Sequence, residues 1–455
     1  HMSEYERFLA SKRKGTPSHG ISVASDAIHS SLYDFQRDTV LWALRKGRAA
    51  IWQAVGLGKT LEQVEWARQI GGRTLIVAPL AVSQQTVKMA RAKLDLDVRY
   101  VRSHDAMPNV GIAITNYEML HAFVGCRLDG MVLDESAILA HIDGATRRLI
   151  LDHFADIPFK LSCTATPCPN DVTEIASQAE FLGIETRSGV LSTYFVHDED
   201  GWRLRGHARQ PFFRWLASWA QAMQNPSDLG YDGSAFILPS LDVRECIVDT
   251  RWTREGELFP GQLKGITDRA NVRKQSIKDR IGKVAEIANG TGEQVLIWCG
   301  LNDEADACVK AIPDCVEVHG TQDLETKVDR LLGFADGKYR VLVTKGKIAG
   351  HGLNLQSCHK MVFMGLNDSF QLFHQSIGRC YRYMQKHPVT VDIIVSDHEV
   401  GIVQNVKRKA READELMHGI IDAAKEYERL EIGTRDQPEE DFSAITPMRR
   451  PIWLT

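Results

Sequence analysis

Three short stretches of this sequence carry residue types whose spacing suits chemistry on a phosphate. The first is Gln53-Ala54-Val55-Gly56-Leu57-Gly58-Lys59-Thr60, which follows the apolar run Ala49–Trp52 and precedes the helix-forming run Leu61–Ile70. In a strand–loop–helix context, Gly56, Leu57 and Gly58 can fold backbone N–H groups around a polyphosphate, and the helix N-terminus adds positive potential. Lys59 can then reach the terminal phosphates, and the Thr60 hydroxyl can hold Mg²⁺. A plain strand-to-helix turn is the alternative, and the flanking elements weigh against it. Gln53 occupies the position of the first glycine in the GxxxxGK[ST] pattern, so the reading rests on the second half of the loop.

The second stretch is Met131-Val132-Leu133-Asp134-Glu135-Ser136-Ala137, an apolar strand running into two adjacent carboxylates. Side chains alternate along a strand, but at its C-terminal end both acids can turn into one cleft. Asp134 then suits the Mg²⁺ shell, and Glu135 suits orienting and polarising an attacking water. Alone, the pair reads equally well as a solvated strand end. The third stretch is Gln375-Ser376-Ile377-Gly378-Arg379-Cys380-Tyr381-Arg382. On a helix, Arg379 and Arg382 would share a face, and their guanidinium groups would suit the charge on a transferred phosphoryl group. Such a pair alone is more often a solvated face. The preceding Ala349-Gly350-His351-Gly352-Leu353-Asn354-Leu355, with glycines that permit close backbone approach, argues for the site.

These residues need a scaffold, and the pattern supplies one. Short, nearly charge-free runs at 49–53, 74–78, 111–115, 130–133 and 160–163 alternate with helical stretches, the signature of a parallel βαβ sheet covered on both faces. A second block repeats it at 294–299, 315–318, 340–344, 360–364 and 389–395. The expected fold is α/β, with two tandem parallel-sheet lobes. Residues 1–30 form an N-terminal extension, 31–184 the first lobe, 185–235 an insertion, 236–399 the second lobe, and 400–455 an amphipathic helix and tail. The insertion reads as mostly helical, its Trp202, Phe212, Phe213, Trp215 and Trp219 forming a small core of their own; interleaved Arg203, Arg205 and Arg214 could also stack on or line a nucleic acid. The basic run Lys407 to Arg411 reads as a solvated helix face.

With 455 residues the chain is too long for one core, and 44% hydrophobic with 25% charged residues is an ordinary globular composition. No apolar run approaches the roughly 20 residues of a membrane span, and no signal-peptide pattern is present, so a cytoplasmic protein without membrane partners is expected. The opening His1-Met2 reads as a cloning remnant. Nine cysteines lack CxxC or Cys/His ligand spacing and are expected to be reduced thiols. Lys plus Arg total 55 against 59 Asp plus Glu, so affinity for a nucleic acid must come from a local groove.

Taken together, the stretches resemble the superfamily 2 helicases and translocases, most closely their Swi/Snf-like branch, in which GLGKT commonly ends the loop. The resemblance runs from about Leu32 to Val395. It implies two RecA-like lobes that clamp ATP and Mg²⁺ between them, with Lys59, Glu135, Arg379 and Arg382 as catalytic residues. Leu32-Tyr33-Asp34-Phe35-Gln36 resembles the adenine-reading element and implies that the Gln36 amide meets the base; a helix-capping polar turn is the alternative. Gly350, Gly352 and Gln375 are implied nucleotide contacts, and Thr164-Ala165-Thr166 resembles the [ST]AT element that couples nucleotide state to lobe movement. The family has His or a similar residue where Ala137 stands.

In that family the polymer crosses the top of both lobes and is gripped mostly through phosphates, with slight sequence preference. The matching positions imply Pro79, Thr115, Thr344 and Lys345 as contacts. Ile114-Thr115-Asn116-Tyr117-Glu118-Met119-Leu120 looks like the branch that tracks duplex DNA. A DNA helicase or double-strand translocase acting on branched or forked DNA, of minimal bacterial or bacteriophage form, is the leading expectation. An RNA helicase is disfavoured by DESA in place of DEAD. A binding subunit that no longer hydrolyses ATP is disfavoured by the joint presence of Lys59, Glu135, Arg379 and Arg382.

Overall fold

A computed structural model describes residues 20–140, 144–199, 201–250, 273–349 and 354–433. Among these, two parallel sheets carry the fold. The first has the order β3-β4-β2-β5-β6-β1-β9, built from β1 (Arg48–Gln53), β2 (Arg73–Ala78), β3 (Arg99–Tyr100), β4 (Gly111–Asn116), β5 (Gly130–Asp134), β6 (Phe159–Thr164) and β9 (Ala220–Met223). A separate antiparallel hairpin pairs β7 (Phe195–Asp198) with β8 (Gly201–Leu204). The second parallel sheet has the order β10-β15-β14-β11-β13-β12, from β10 (Leu241–Val248), β11 (Val295–Cys299), β12 (Cys315–Val318), β13 (Val341–Lys345), β14 (Lys360–Met364) and β15 (Val389–Ser396). These are the two tandem parallel-sheet lobes expected from the sequence.

The apolar runs become central strands because both sides of each sheet bury their side chains. Leu75, Val77, Met131 and Leu133 face one core of the first lobe, and Ile76, Ala78, Val132 and Leu161 face the other. Helices cover both faces, so the period-2 alternation disappears from the hydrophobicity while persisting in space. The second lobe repeats this, with Leu296, Met361 and Ile393 on one face and Val295, Ile297 and Val362 on the other. In the first sheet β5, β6 and β1 are neighbours, so the segments leaving their C-terminal ends line one edge, where open α/β sheets bind ligands.

The stretch 185–235 differs from its reading as a mostly helical insertion with a private core. It contributes the β7–β8 hairpin, the helix Arg209–Ala217 and β9, which pairs in parallel with β1 as the outermost strand of the first sheet. Phe212, Phe213, Leu216 and Trp219 belong to the first lobe's own core, and Trp219 meets Trp52 edge-on at 5.5 Å. Aromatics in a local cluster looked self-sufficient because sequence cannot reveal which sheet face they cover.

The helix Val400–Gly433 spans both lobes. Ile402 and Val403 pack in the second lobe, while Leu416, Met417, Ile420 and Ile421 pack against the first. Its apolar positions follow helical spacing along one stripe. Its basic run pairs locally: Arg408 with Glu412, Lys407 with Glu245, and Lys409 Nζ donating to Asn170 of the first lobe at 3.0 Å and to the Asp368 carbonyl at 2.9 Å. All nine cysteines are free thiols, and among the described residues no helix is long and apolar enough to cross a membrane.

Candidate functional site

The phosphate-type loop leaves β1 and starts the helix Lys59–Ile70. Gly56 (φ 96°) and Gly58 (φ 94°) both hold left-handed backbone, which a side chain would strain. Lys59 Nζ donates to the carbonyls of Gln53 at 2.7 Å and Ala54 at 3.2 Å, so the ammonium is held over the loop. Burial pushes its pKa down, opposed by the negative charges of Glu135 and Asp134. The Gln53 departure has a structural place: its Nε2 donates to Glu62 Oε1 at 3.0 Å, tying the loop's entrance to the helix that leaves it. Burial raises Glu62 to about 8, with the Gln53 hydrogen bond and the Lys59 charge opposing the shift.

Gln36 reaches the same loop, its Nε2 donating to the Leu57 carbonyl at 2.7 Å. Its Oε1 accepts from Tyr33 N at 3.0 Å, so the capping reading is also realised. Beside it, Tyr33, Phe35 and Phe236 form an aromatic group that includes Tyr383 of the second lobe, whose ring stacks on Phe236 at 4.6 Å.

The acid pair follows β5. Glu135 has φ 54°, a left-handed backbone rare outside glycine that reverses the strand's alternation, so Glu135 need not point away from Asp134. Asp134 accepts from Gln63 Nε2 at 2.8 Å. Burial raises Asp134 to about 6, with the adjacent Glu135 charge adding to the shift, an arrangement that a bound cation would relieve. Thr60 and Asp134 offer the hard oxygen atoms that Mg²⁺ takes. Among the described residues no group of three or more His, Cys, Asp or Glu could hold a metal, so phosphate and water oxygens would have to complete its shell.

From the second lobe, the helix Phe370–Ile377 ends before the arginines. Arg379 and Arg382 therefore lie in the turn beyond it and not on a shared helical face, a correction to the spacing argument. Gly378, at the end of that helix, lets the phosphate-type loop come close: a Cβ there would lie 3.2 Å from both methyls of Val55. Burial pushes Arg379 down to about 10, while the Glu135 carboxylate opposes that shift from across the cleft. Burial also lowers Arg382. Arg379 Nε and Gln375 Nε2 are buried donors without a partner among the described residues, and two unmet donors next to the Lys59 loop suit a polyanion. His374 on the same helix is pushed down to about 4 by desolvation and then by the positive charge of Lys59.

The Thr164-Ala165-Thr166 segment ends β6: Thr166 N donates to Thr164 Oγ1 at 3.1 Å, and Ala165 lies between them. Two contributors were missed in the sequence. Gln178 accepts from Trp52 Nε1 at 3.0 Å, Ser162 Oγ at 2.8 Å and Ser136 Oγ at 3.3 Å, and donates to the Pro167 carbonyl at 2.7 Å. It thus links β1, the segment that follows the acid pair and the turn that follows β6. A glutamine inside the otherwise apolar helix Ile175–Leu182 was the available signal. The other is Tyr117, whose hydroxyl donates to the Asp134 carbonyl at 2.6 Å.

The polymer positions divide. Thr115 and Thr344 are fully buried, the latter with its hydroxyl on the Val318 carbonyl at 2.9 Å, so neither side chain reaches the surface. Pro79 is half-buried at the start of the helix Leu80–Leu94, and Lys345 is half-buried with its ammonium on Asn302. Gly350 and Gly352 lie outside the described residues.

Residues 279–384 match the family model of the helicase conserved C-terminal domain. No curated protein matches the chain. Among solved structures, the SWI2/SNF2 ATPase core of Sulfolobus solfataricus in complex with dsDNA is similar at 16% identity and a TM-score of 0.43, covering 88% of this chain and 96% of that one.

Proposed function

We propose that this chain is a superfamily 2 motor of the Swi/Snf-like type, which hydrolyses ATP between its lobes to move along duplex or forked DNA. The observation that carries the reading is the position of Glu135. Its charge acts on Lys59 of its own lobe and on Arg379 of the other, so one carboxylate is within electrostatic reach of both cations that would meet the triphosphate. The helicase C-terminal match over 279–384 supports a polymer-driven motor.

In this reading the loop Gly56–Thr60 cradles the phosphates and Lys59 leaves its carbonyl acceptors for them. Thr60 and Asp134 hold Mg²⁺, which supplies charge neutralisation on the phosphates. Glu135 takes a proton from the attacking water, and Arg379 and Arg382 stabilise the charge that develops on the transferred group. Because Arg379 and Arg382 come from the second lobe, hydrolysis requires closure and release permits opening. Gln36 contacts the base, Gln375 the phosphates, and Thr164 to Thr166 couple the state of the site to the lobes. Pro79 and Lys345 remain the surface candidates for a phosphate track.

ATP turnover measured with single-stranded DNA, duplex DNA, forked DNA and RNA tests this, alongside Lys59→Ala and Glu135→Gln. DNA-stimulated turnover lost in both variants is expected. Stimulation by RNA alone would replace DNA as the polymer, and the absence of turnover with every polymer would reduce the chain to a nucleotide-binding subunit.

A further inference from the structure

We infer that Tyr117 is a positioning residue for the acid pair, tying the Glu135 backbone to the loop that follows β4. The inference rests on the motor reading above and names how that site is regulated.

Tyr117 opens the short turn Tyr117–Phe123 directly after β4, and its ring is buried in the first lobe's core. Its hydroxyl donates to the Asp134 carbonyl at 2.6 Å, crossing from the β4 end, past β2, to the β5 end. That carbonyl belongs to the peptide joining Asp134 to Glu135, the residue whose φ of 54° sets the second carboxylate's direction. A left-handed non-glycine residue persists only where its surroundings over-determine it. Tyr117 supplies one such constraint on the very peptide plane that must turn. Burial, reinforced by the Asp134 and Glu135 charges, pushes the phenol well above its ordinary pKa, so the hydroxyl remains a donor.

The other end of the connection is the β4 loop. Asn116, next to Tyr117, accepts from Tyr100 OH at 3.2 Å and donates to Glu118 at 2.6 Å, so hydrogen bonds tie the loop to its surface residues. A polymer pressing on this edge would shift the hydroxyl and, through it, the Glu135 backbone. The acid pair would then be set for hydrolysis only when the track is engaged.

Tyr117→Phe removes one oxygen and keeps the ring in the core. Losing this bond leaves a buried carbonyl unmet, and roughly a tenfold fall in DNA-stimulated kcat is expected. KM for ATP should stay within error of wild type, the melting temperature should fall by no more than a few degrees, as one unmet buried carbonyl costs about 1–3 kcal/mol, and polymer-free turnover should fall less than stimulated turnover. If Tyr117→Phe keeps stimulated kcat within twofold, or loses it only in step with a raised KM and a melting temperature lowered further than that, the residue is merely structural and the inference is overturned. A wild-type chain that shows no turnover overturns the motor reading and this inference with it. A turning-over wild type that its Phe variant matches overturns this inference alone.

Discussion

Replacing Gly378 with alanine should open the two lobes while leaving each lobe intact. Gly378 lies in the second lobe with φ −62° and ψ −4°, a conformation that alanine adopts without strain. Its added Cβ would lie 3.2 Å from both Cγ atoms of Val55 in the first lobe's loop. Carbon atoms prefer roughly 3.5–4.0 Å, so the lobes must separate by a few tenths of an ångström or Val55 must give way. Overpacking of this kind costs about 1–3 kcal/mol, and here the cost falls only where the lobes meet. At about 1.4 kcal/mol per factor of ten, kcat/KM for ATP should fall roughly 5- to 100-fold. The isolated effect on the fold has the opposite sign, because alanine restricts the unfolded chain and adds about 0.4–1 kcal/mol at a compatible site. The expected variant is therefore slower yet no less stable. Val55→Ala removes both methyls and should restore turnover in the double variant. Steady-state ATPase and thermal melts on the four proteins complete the cycle. A single variant at the wild-type rate, or a double variant as slow as the single, would refute the steric account.

Glu135→Gln should lower turnover by about 10²–10⁴ through loss of the base, while a fluorescent nucleotide still binds; loss of binding would point to collapse of the loop instead. Lys160 is fully buried, its Nζ donating to Ala155 and Phe181 carbonyls, and burial with the Arg48 charge pushes it down to about 7. From pH 7 to about 10.5 the unfolded chain holds a proton that the folded chain has released, so wild-type stability gains with rising pH. Urea midpoints should show that gain reduced in Lys160→Met across this window and parallel curves below it. Ile420→Asp places an unpaired charge where the helix Val400–Gly433 meets the first lobe. Proteolysis should then cut the helix's second half at low protease, with ATPase less stimulated by DNA; an unchanged digestion pattern would mean that this contact does not hold the helix.

Much of the scaffold was legible because its strands are short, apolar and bounded by turn residues. The three phosphate-directed stretches were legible because their chemistry needs particular side chains at strand ends. What stayed hidden depends on contacts between residues far apart in sequence. Trp219 and Phe212 read as a local aromatic cluster, whereas both pack into the first lobe's core next to β9, the strand that pairs with β1. Gln178 gathers four partners from four segments, an arrangement no spacing rule encodes. Thr115 and Thr344 sat at the positions where polymer contacts were expected, yet each is the next-to-last residue of a central strand, and both side chains are buried.

The same alternation explains why the acid pair needed more than a sequence. Two carboxylates in succession on regular strand backbone would diverge, one toward each covering layer, and only one could serve the cleft. The left-handed turn at Glu135 breaks that period at its last step, and the cost of the turn, roughly 1–3 kcal/mol, has to be met by neighbours. Tyr117 on the Asp134 carbonyl and the hydrogen bond from Ser136 to Gln178 bracket the turn on both sides. A motif that is two letters long in sequence is thus maintained by residues from the β4 loop and from the helix Ile175–Leu182. Substitutions at those distant positions should therefore show first in kcat.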